Sequence, residues 1–212
     1  MLDLDLSLSS IMVKIEHQKS KMKRLAKIIR LITIPTNLFF AAFLLIYFTN
    51  RDSFPTVFSV IIPVILIGGV VLVSYLVSFI IVKKKTNLDL RRCQRFLAFI
   101  FSFIGYLAAF IISICCKFSR LEMTFISTYF FTVCFLSIFN LFKIKASGHA
   151  AGIFGPLIYV CYFINIWYFI PCSIILFSSM WASLYLNRHT LKQFLLGFVC
   201  TTLGFILSII IF

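Results

Sequence analysis

Long apolar segments separated by short polar ones dominate the chain. To within a few residues, the apolar segments fall at 31–49, 57–82, 96–116, 122–142, 150–166, 168–187 and 193–212. Most approach the length of about 20 residues that one helical crossing of a bilayer requires. The pattern therefore predicts an all-α fold, a polytopic membrane helix bundle with seven transmembrane helices, or six if the first segment lies only at the interface.

A basic segment precedes the first apolar one. Residues 1–30 include the stretch IMVKIEHQKSKMKRLAKIIR, in which apolar residues recur with roughly helical spacing and the opposite face carries lysine and arginine. This pattern predicts an amphipathic helix that lies on anionic lipid headgroups. Nucleic acid is disfavoured as a partner because no folded binding module accompanies the basic stretch. We divide the chain into this basic head, residues 1–30, and a single transmembrane domain, residues 31–212.

The distribution of charge predicts the orientation of the bundle. The chain is 62% hydrophobic and 12% charged, with a formal net charge of +14. Residues 1–30, 83–95, 143–149 and 188–192, which a seven-helix topology places on one side, hold 7, 6, 2 and 2 of the 20 lysines and arginines. The positive-inside rule places that side, with the N-terminus, in the cytoplasm. The sequence therefore predicts an integral protein of the cell membrane, without indicating an oligomeric state.

Carboxylates are scarce in this chain. Six are present: Asp3, Asp5, Glu16, Asp52, Asp89 and Glu122. The predicted topology puts the last two on opposite sides, which excludes enzymes that hold Mg²⁺ through several aspartates on one face. The seven cysteines form no C-x-x-C pair and are typical of small buried apolar residues. We expect no metal site and no cofactor, so histidines and cations remain as the candidate chemistry.

Three polar segments are predicted to meet at the cytoplasmic face. They are KKKTNLDLRRCQR (83–95), KIKASGH (143–149) and NRHTLKQ (187–193), and two spans separate each from the next. In the second segment, Ser147 and Gly148 stand at the start of a helix, where outward N–H groups and the helix dipole favour an anion. The alternative is that Ser147 only caps the helix while Lys143 and Lys145 anchor it at the interface.

The third segment offers a candidate histidine. His189 and Gln193 are four residues apart and hence predicted to share one helical face. A histidine whose Nδ1–H is held by a neighbour can present Nε2 as a nucleophile or base. The alternative is a histidine at headgroup level with a polar neighbour.

These segments carry a resemblance to a known family. KASGHAAG resembles the P-S-G-H motif of the type 2 phosphatidic acid phosphatases. SLYLNRHTLKQFLLG resembles their third motif, in which S-R is followed by five residues, H, three residues and D. The basic segment 83–95 lies where that family has its first motif, K, six residues, R-P. The resemblance spans about residues 83–200 and implies metal-free hydrolysis of a lipid phosphate or isoprenoid diphosphate.

The resemblance also implies roles for individual residues. His189 matches the nucleophile that forms a phosphohistidine, and His149 matches the acid that protonates the leaving oxygen. Ser147 and Gly148 match the pair that cradles the phosphate. Gln193 takes the position of the residue that orients the nucleophile.

The cations of the first motif are less closely fixed. Arg95 is our choice for its arginine, and Arg92 is the alternative because Lys85 lies seven residues before it. We expect His149 and His189 to face each other across a pocket lined by one of these arginines and by Lys145.

The chain departs from the family pattern at several positions. Ala146 replaces a proline, Ser183 stands where the third motif has its arginine, and Gln193 replaces an aspartate. Arg188 is predicted to lie on a different helical face from the histidine beside it. These departures keep a second hypothesis open, a non-catalytic relative that binds or moves anionic lipids. In either case, the expected partners are membrane lipids with anionic headgroups.

Overall fold

The computed structural model describes residues 2–84 and 89–212, and within these ranges it contains helices and turns but no strand. The helices are α1 (Leu2–Ile32), α2 (Pro35–Thr49), α3 (Val57–Pro63), α4 (Val70–Lys84), α5 (Leu90–Cys115), α6 (Arg120–Leu141), α7 (Gly148–Phe163), α8 (Phe169–Tyr185) and α9 (Leu191–Ile211). A π-helical segment, Val64–Gly69, joins α3 to α4, and 3-10 turns occupy Arg51–Ser53 and Ile166–Tyr168. The predicted all-α class is confirmed.

Five described helical stretches are long and apolar enough to cross a membrane. They are Val57–Lys83, Arg92–Cys115, Arg120–Leu141, Ile166–Tyr185 and Leu191–Ile211. The pair Glu16–Ile32 and Pro35–Thr49, bent by 48°, adds a sixth if it counts as one span. The predicted alternative of six spans left out the first apolar segment. By length, the helix that falls short is instead α7, which has only 16 residues, about 24 Å of helix.

The predicted basic head is helical and packs against α8. Ala26 on α1 is fully buried, and the Thr33 hydroxyl at the end of this helix donates to the Ser179 hydroxyl of α8 at 3.2 Å. Leu25 and Ile28 on the other side of α1 are 46% and 54% exposed. The helix therefore has one face fixed to the bundle and one apolar face outside it, and it continues two residues beyond the predicted boundary at 30.

Aromatic packing joins α2, α6 and α7. The rings of Phe39 and Phe125 are 5.8 Å apart, and those of Phe125 and Tyr159 are 4.7 Å apart. The Tyr159 hydroxyl donates to the Thr124 carbonyl at 3.0 Å, so this buried polar group is paired. These contacts hold the middle of α7, whose first turn lies at the candidate site.

Small residues let α9 approach its neighbours closely. A Cβ added at Gly204 would lie 2.9 Å from the backbone N of Thr132 on α6, and one added at Gly197 would lie 2.3 Å from the Ser147 carbonyl oxygen. The Thr201 hydroxyl between them donates to the Ala151 carbonyl of α7 at 3.1 Å. Close helix crossings at small residues are typical of membrane proteins, and this one fixes α9 against the start of α7.

Two helices that lead into the site end in the same way. Lys143 after α6 and Asn187 after α8 have φ of 58° and 50°, in the left-handed region. The following residue in the second case, Arg188, donates its N–H to the Ser183 carbonyl at 3.0 Å, as in a Schellman motif. These tight ends return the chain directly into α7 and α9.

Candidate functional site

The first turn of α7 carries one candidate histidine. Ser147 is the N-cap residue, and its side chain accepts a hydrogen bond from the Ala150 N–H at 3.2 Å. His149, two residues further, is half-buried, and its Nε2 is a buried atom without a hydrogen-bond partner among the described residues. Buried polar atoms are usually paired, so this nitrogen is the first candidate for contact with a ligand.

The second candidate histidine lies in a turn rather than on a helix. His189 falls between the end of α8 and Thr190, the N-cap residue of α9. Thr190 and Gln193 form a capping box, in which the Gln193 N–H donates to the Thr190 hydroxyl and the Thr190 N–H donates to Gln193 Oε1, both at 3.3 Å. The Gln193 side chain also hydrogen-bonds to His189. The two side chains do meet, but the predicted shared helical face is wrong, because the capping box brings them together.

Backbone contacts fix the two turns to each other. The Ser147 N–H donates to the Gln193 carbonyl at 2.9 Å, and Gly197 lies against the same Ser147 turn. As a result, the rings of His149 and His189 lie 6.3 Å apart between centroids and are nearly parallel, with 11° between their planes. The structure thus brings together the two histidines that were predicted to meet at one face, because α7 and α8 return the chain to the same end of the bundle, while their catalytic roles stay predictions.

Arg30 lies beside this pair. It stands in the last turn of α1, is half-buried, and donates through Nη1 to the Ser183 hydroxyl at 3.4 Å. Ser183 is fully buried, six residues before His189. Ser183, where the resemblance would place an arginine, is therefore in contact with an arginine from another helix.

The sequence pattern does not distinguish Arg30 from the other cations of the head. Its position is explained by Ala26, Arg30 and Thr33, which lie on one face of α1 at spacings of four and three. A small residue, a cation and a hydroxyl in one helical register are a signal that this face packs against protein. Composition alone does not separate that face from the lysine-rich one.

The surroundings lower the pKa of both histidines, which lie outside the five long apolar spans. Burial has the largest effect on the pKa of His189, followed by the charge of Arg30. The hydrogen bond between the ring and Gln193 raises that pKa, and Arg95 and Arg188 lower it further. Burial, then Arg30, then His189 lower the pKa of His149 to about 3. Both rings are therefore neutral near pH 7 when no anion is bound.

The other cations near the two histidines differ in whether their charge acts on His189. Of the two alternatives on α5, Arg95 is the one whose charge acts on His189, and both it and Arg92 are exposed. Lys85, on which the choice of Arg92 depended, lies outside the described residues. Arg188 was expected on a different helical face. It lies instead in the turn after α8, where its charge reaches His189.

Lys145 and Gly148 lie at the outer surface of the site. Lys145 is exposed and is not among the charges that lower the pKa of the two histidines. Gly148 is also exposed, and a Cβ there would meet only Leu136 Cδ1, at 4.0 Å. The protein itself therefore leaves open space at Gly148, next to the N-terminus of α7. Ser147 begins and caps α7, as both alternatives expected, while binding of an anion there stays a prediction.

No family model matches the chain, and no curated protein or solved structure matches it. Within residues 2–84 and 89–212, no group of three His, Cys, Asp or Glu side chains could hold a metal ion. The chemistry of the site must be argued from its own residues, two parallel neutral imidazoles surrounded by arginines.

Proposed function

We propose that this protein is an integral membrane phosphatase that hydrolyses a lipid phosphate or isoprenoid diphosphate through a phosphohistidine intermediate. The observation that carries the proposal is the pair of rings, His149 and His189, 6.3 Å apart and nearly parallel. A phosphoryl group bound within reach of both imidazoles can be attacked by one while the other serves the leaving oxygen. The resemblance in the three polar segments supports the same assignment of roles.

In the proposed first step, a ring nitrogen of His189 attacks the phosphorus. A P–N bond forms as the P–O bond to the lipid breaks, and the leaving oxygen keeps the electron pair and takes a proton from His149. In the second step, water cleaves the P–N bond while His149 accepts a proton from that water. The products are the lipid alcohol, or the lipid monophosphate from a diphosphate, and inorganic phosphate.

The substrate itself brings the acid into its active form. Without an anion, the lowered pKa of His149 keeps its ring neutral, and a neutral ring cannot donate the proton that the first step requires. A phosphate with two negative charges beside the ring raises that pKa, because an opposite charge favours the protonated form. His189, equally neutral, keeps the lone pair that it needs for attack. Proton uptake is therefore coupled to substrate binding.

The arginines and the glutamine complete the proposed arrangement. Arg95 and Arg188, already close enough to act on His189, offset the charge of the phosphoryl group as it is transferred. Gln193 orients the nucleophilic ring through its hydrogen bond. Gly148 lets the phosphate approach the first turn of α7, where backbone N–H groups point outward.

The test is turnover by the purified protein in detergent or nanodiscs. Phosphatidic acid and farnesyl diphosphate are supplied in the presence of EDTA, and released phosphate is measured. We expect hydrolysis without added metal, loss of it in His189→Ala, and unchanged turnover in His17→Ala, the matched control at an exposed histidine. A strict requirement for Mg²⁺, or equal turnover in His189→Ala, contradicts the proposal.

A second candidate function is the binding or movement of anionic lipids without hydrolysis. Gln193 favours it, because an amide carries no charge to stabilise the imidazolium that a phosphohistidine cycle needs. In serine proteases, loss of the aspartate at the analogous position costs about 10⁴-fold in turnover. Binding of phosphatidic acid that depends on His149 and His189, with no phosphate released over hours, would favour this candidate.

A further inference from the structure

Arg30 is held at the histidines by packing rather than by a flexible surface contact. Ala26, one turn before it, is fully buried, and Thr33, one turn after it, donates to Ser179 on α8 at 3.2 Å. Between these two contacts, Arg30 donates to the Ser183 hydroxyl at 3.4 Å. Its backbone position and the direction of its side chain are therefore both set by the α1–α8 interface.

The guanidinium is also placed to act on both rings. Arg30 is the strongest charge acting on His149 and the strongest acting on His189, although the two histidines come from different turns. The Nε2 of His149, which has no hydrogen-bond partner in the part of the chain that the structure describes, is buried. Two imidazoles and one guanidinium, converging from the first turn of α7, the turn before α9 and the end of α1, form a site for an anion with several oxygens. A guanidinium binds such oxygens in a planar fork.

We propose that Arg30 is an anion-binding residue of this site, contributed by the head helix α1, and that it holds a phosphate monoester against the two histidines. The choice of a phosphate monoester rests on the proposed function. The presence of Arg30 beside the histidines does not. Because Ser183 directs the guanidinium, Ser183 is a positioning residue in this arrangement.

The same helix is placed to bind the membrane surface. Its exposed side carries the cations Lys19, Lys21, Lys23, Arg24 and Lys27 together with apolar side chains. An amphipathic basic helix of this type lies among anionic headgroups. The proposed substrate would therefore meet a helix that both lies at the lipid surface and supplies one ligand for its phosphate.

The experiment compares binding of two probes, inorganic phosphate and dihexanoyl phosphatidic acid, to the full-length protein in detergent by isothermal titration calorimetry. Arg30→Gln keeps a donor near Ser183 but removes the charge. We expect it to weaken both probes by about 10- to 100-fold, since a charge-assisted hydrogen bond is lost. Arg24→Gln, an exposed control of equal charge on the same helix, should stay within about 2-fold of wild type.

The two probes separate the possible sources of the anion. If only dihexanoyl phosphatidic acid binds, and Arg30→Gln weakens it, the site takes lipid headgroups. If inorganic phosphate binds with the same dependence, the site takes phosphate from either source. The proposal is overturned if wild type and Arg30→Gln bind every probe with equal affinity. It is also overturned if wild type binds neither probe. Because turnover is not measured, failure of the phosphatase reaction is distinguished from failure of anion binding.

A second variant keeps the test decisive if Arg30→Gln does not fold. Arg30→Lys keeps the charge but loses the planar fork, and unchanged affinity in this variant overturns the proposal. Where Arg30→Gln does fold, the histidine C–H resonances report the loss of its charge. Arg30→Gln should raise the pKa of His149 and His189, whereas Arg24→Gln should not. A residue that only supports α1 against α8 would leave those titrations unmoved.

Discussion

At the scale of single residues, the chain's histidines occupy contrasting surroundings. His17 is exposed on the head helix, whereas His149 and His189 share one site in which burial and Arg30 lower the pKa of both. This contrast makes the first of them a natural control for the other two. It also means that the neutral imidazoles of the site are a property of the folded state.

Folding stability should therefore depend on pH through His149. Its pKa is about 3 in the folded state and near its ordinary value of about 6.5 in the unfolded state. The unfolded state binds the extra proton between these values, so stability is lost as pH falls below about 6.5. Thermal melts in detergent between about pH 7 and pH 4 should show this loss, and it should be smaller in His149→Gln. A melting temperature that falls equally in the variant contradicts the assignment.

The two site histidines should differ in what their loss leaves behind. We expect His149→Ala to reduce turnover of a lipid phosphate by about 10²- to 10⁴-fold, the usual contribution of a general acid. On p-nitrophenyl phosphate, whose leaving group departs without a proton, the same variant should accumulate a phosphoenzyme. The measurement is phosphate bound covalently to the protein that is released by acid but not by base, as expected of a phosphohistidine. A labelled His189→Ala would place the nucleophile elsewhere.

Gln193 is the residue at which a charge is most informative. Gln193→Asp places a carboxylate beside His189, which should raise the pKa of that ring, and it also suits the N-terminus of α9. If the missing charge limits the phosphohistidine cycle, turnover should rise relative to wild type. Gln193→Asn, an amide of the same length as the aspartate, is the control. Equal turnover in the two variants would show that length, not charge, decides.

Sequence reasoning reached part of this site. The meeting of His149 and His189 could be predicted because two consecutive apolar helices, α7 and α8, return the chain to the same end of the bundle. The contact between His189 and Gln193 was expected for the wrong reason, since spacing in the sequence does not reveal where the N-cap of α9 falls. Arg30 was missed because its contact with Ser183 depends on tertiary packing between the first and eighth helices.

At the scale of helices, two glycines offer a matched pair of substitutions. Gly197→Ala would place a Cβ 2.3 Å from the Ser147 carbonyl oxygen, so backbone must move, whereas Gly148→Ala meets nothing closer than 4.0 Å. We expect the former to lower the melting temperature and to weaken phosphate binding. The latter should leave the melting temperature unchanged and weaken phosphate binding only. Equal melting temperatures for both variants would contradict the close approach of α9 to α7.

The helices themselves were largely predictable, because hydrophobic segments of bilayer length dictate them. The positions at which the helices are interrupted were harder to predict. Pro35 begins α2 and ends the preceding run, which separates α1 and α2 at a 48° bend. The π-helical segment Val64–Gly69 follows Pro63, in a stretch that reads as uninterrupted apolar sequence. Both depend on backbone hydrogen bonds that proline cannot make.

At the scale of the whole molecule, the prediction concerns orientation. The basic segments should face the cytoplasm, and α5 runs from that face to Cys115 and Cys116, which are exposed at its far end. An impermeant maleimide added to intact cells should label these two cysteines. In a variant in which Cys115 and Cys116 are replaced by serine and Arg188 by cysteine, the maleimide should label position 188 only after the cells are permeabilised. Labelling of position 188 in intact cells reverses the topology.

The contact between Arg30 and Ser183 spans 153 positions of the chain. At translation rates of about 5 to 20 residues per second, roughly 8 to 30 s pass between the synthesis of the two residues. Until α8 has been synthesised, α1 lacks the surface against which Ala26 and Thr33 pack. The amphipathic character predicted for α1 would let lipid headgroups hold the helix at the correct depth during that wait.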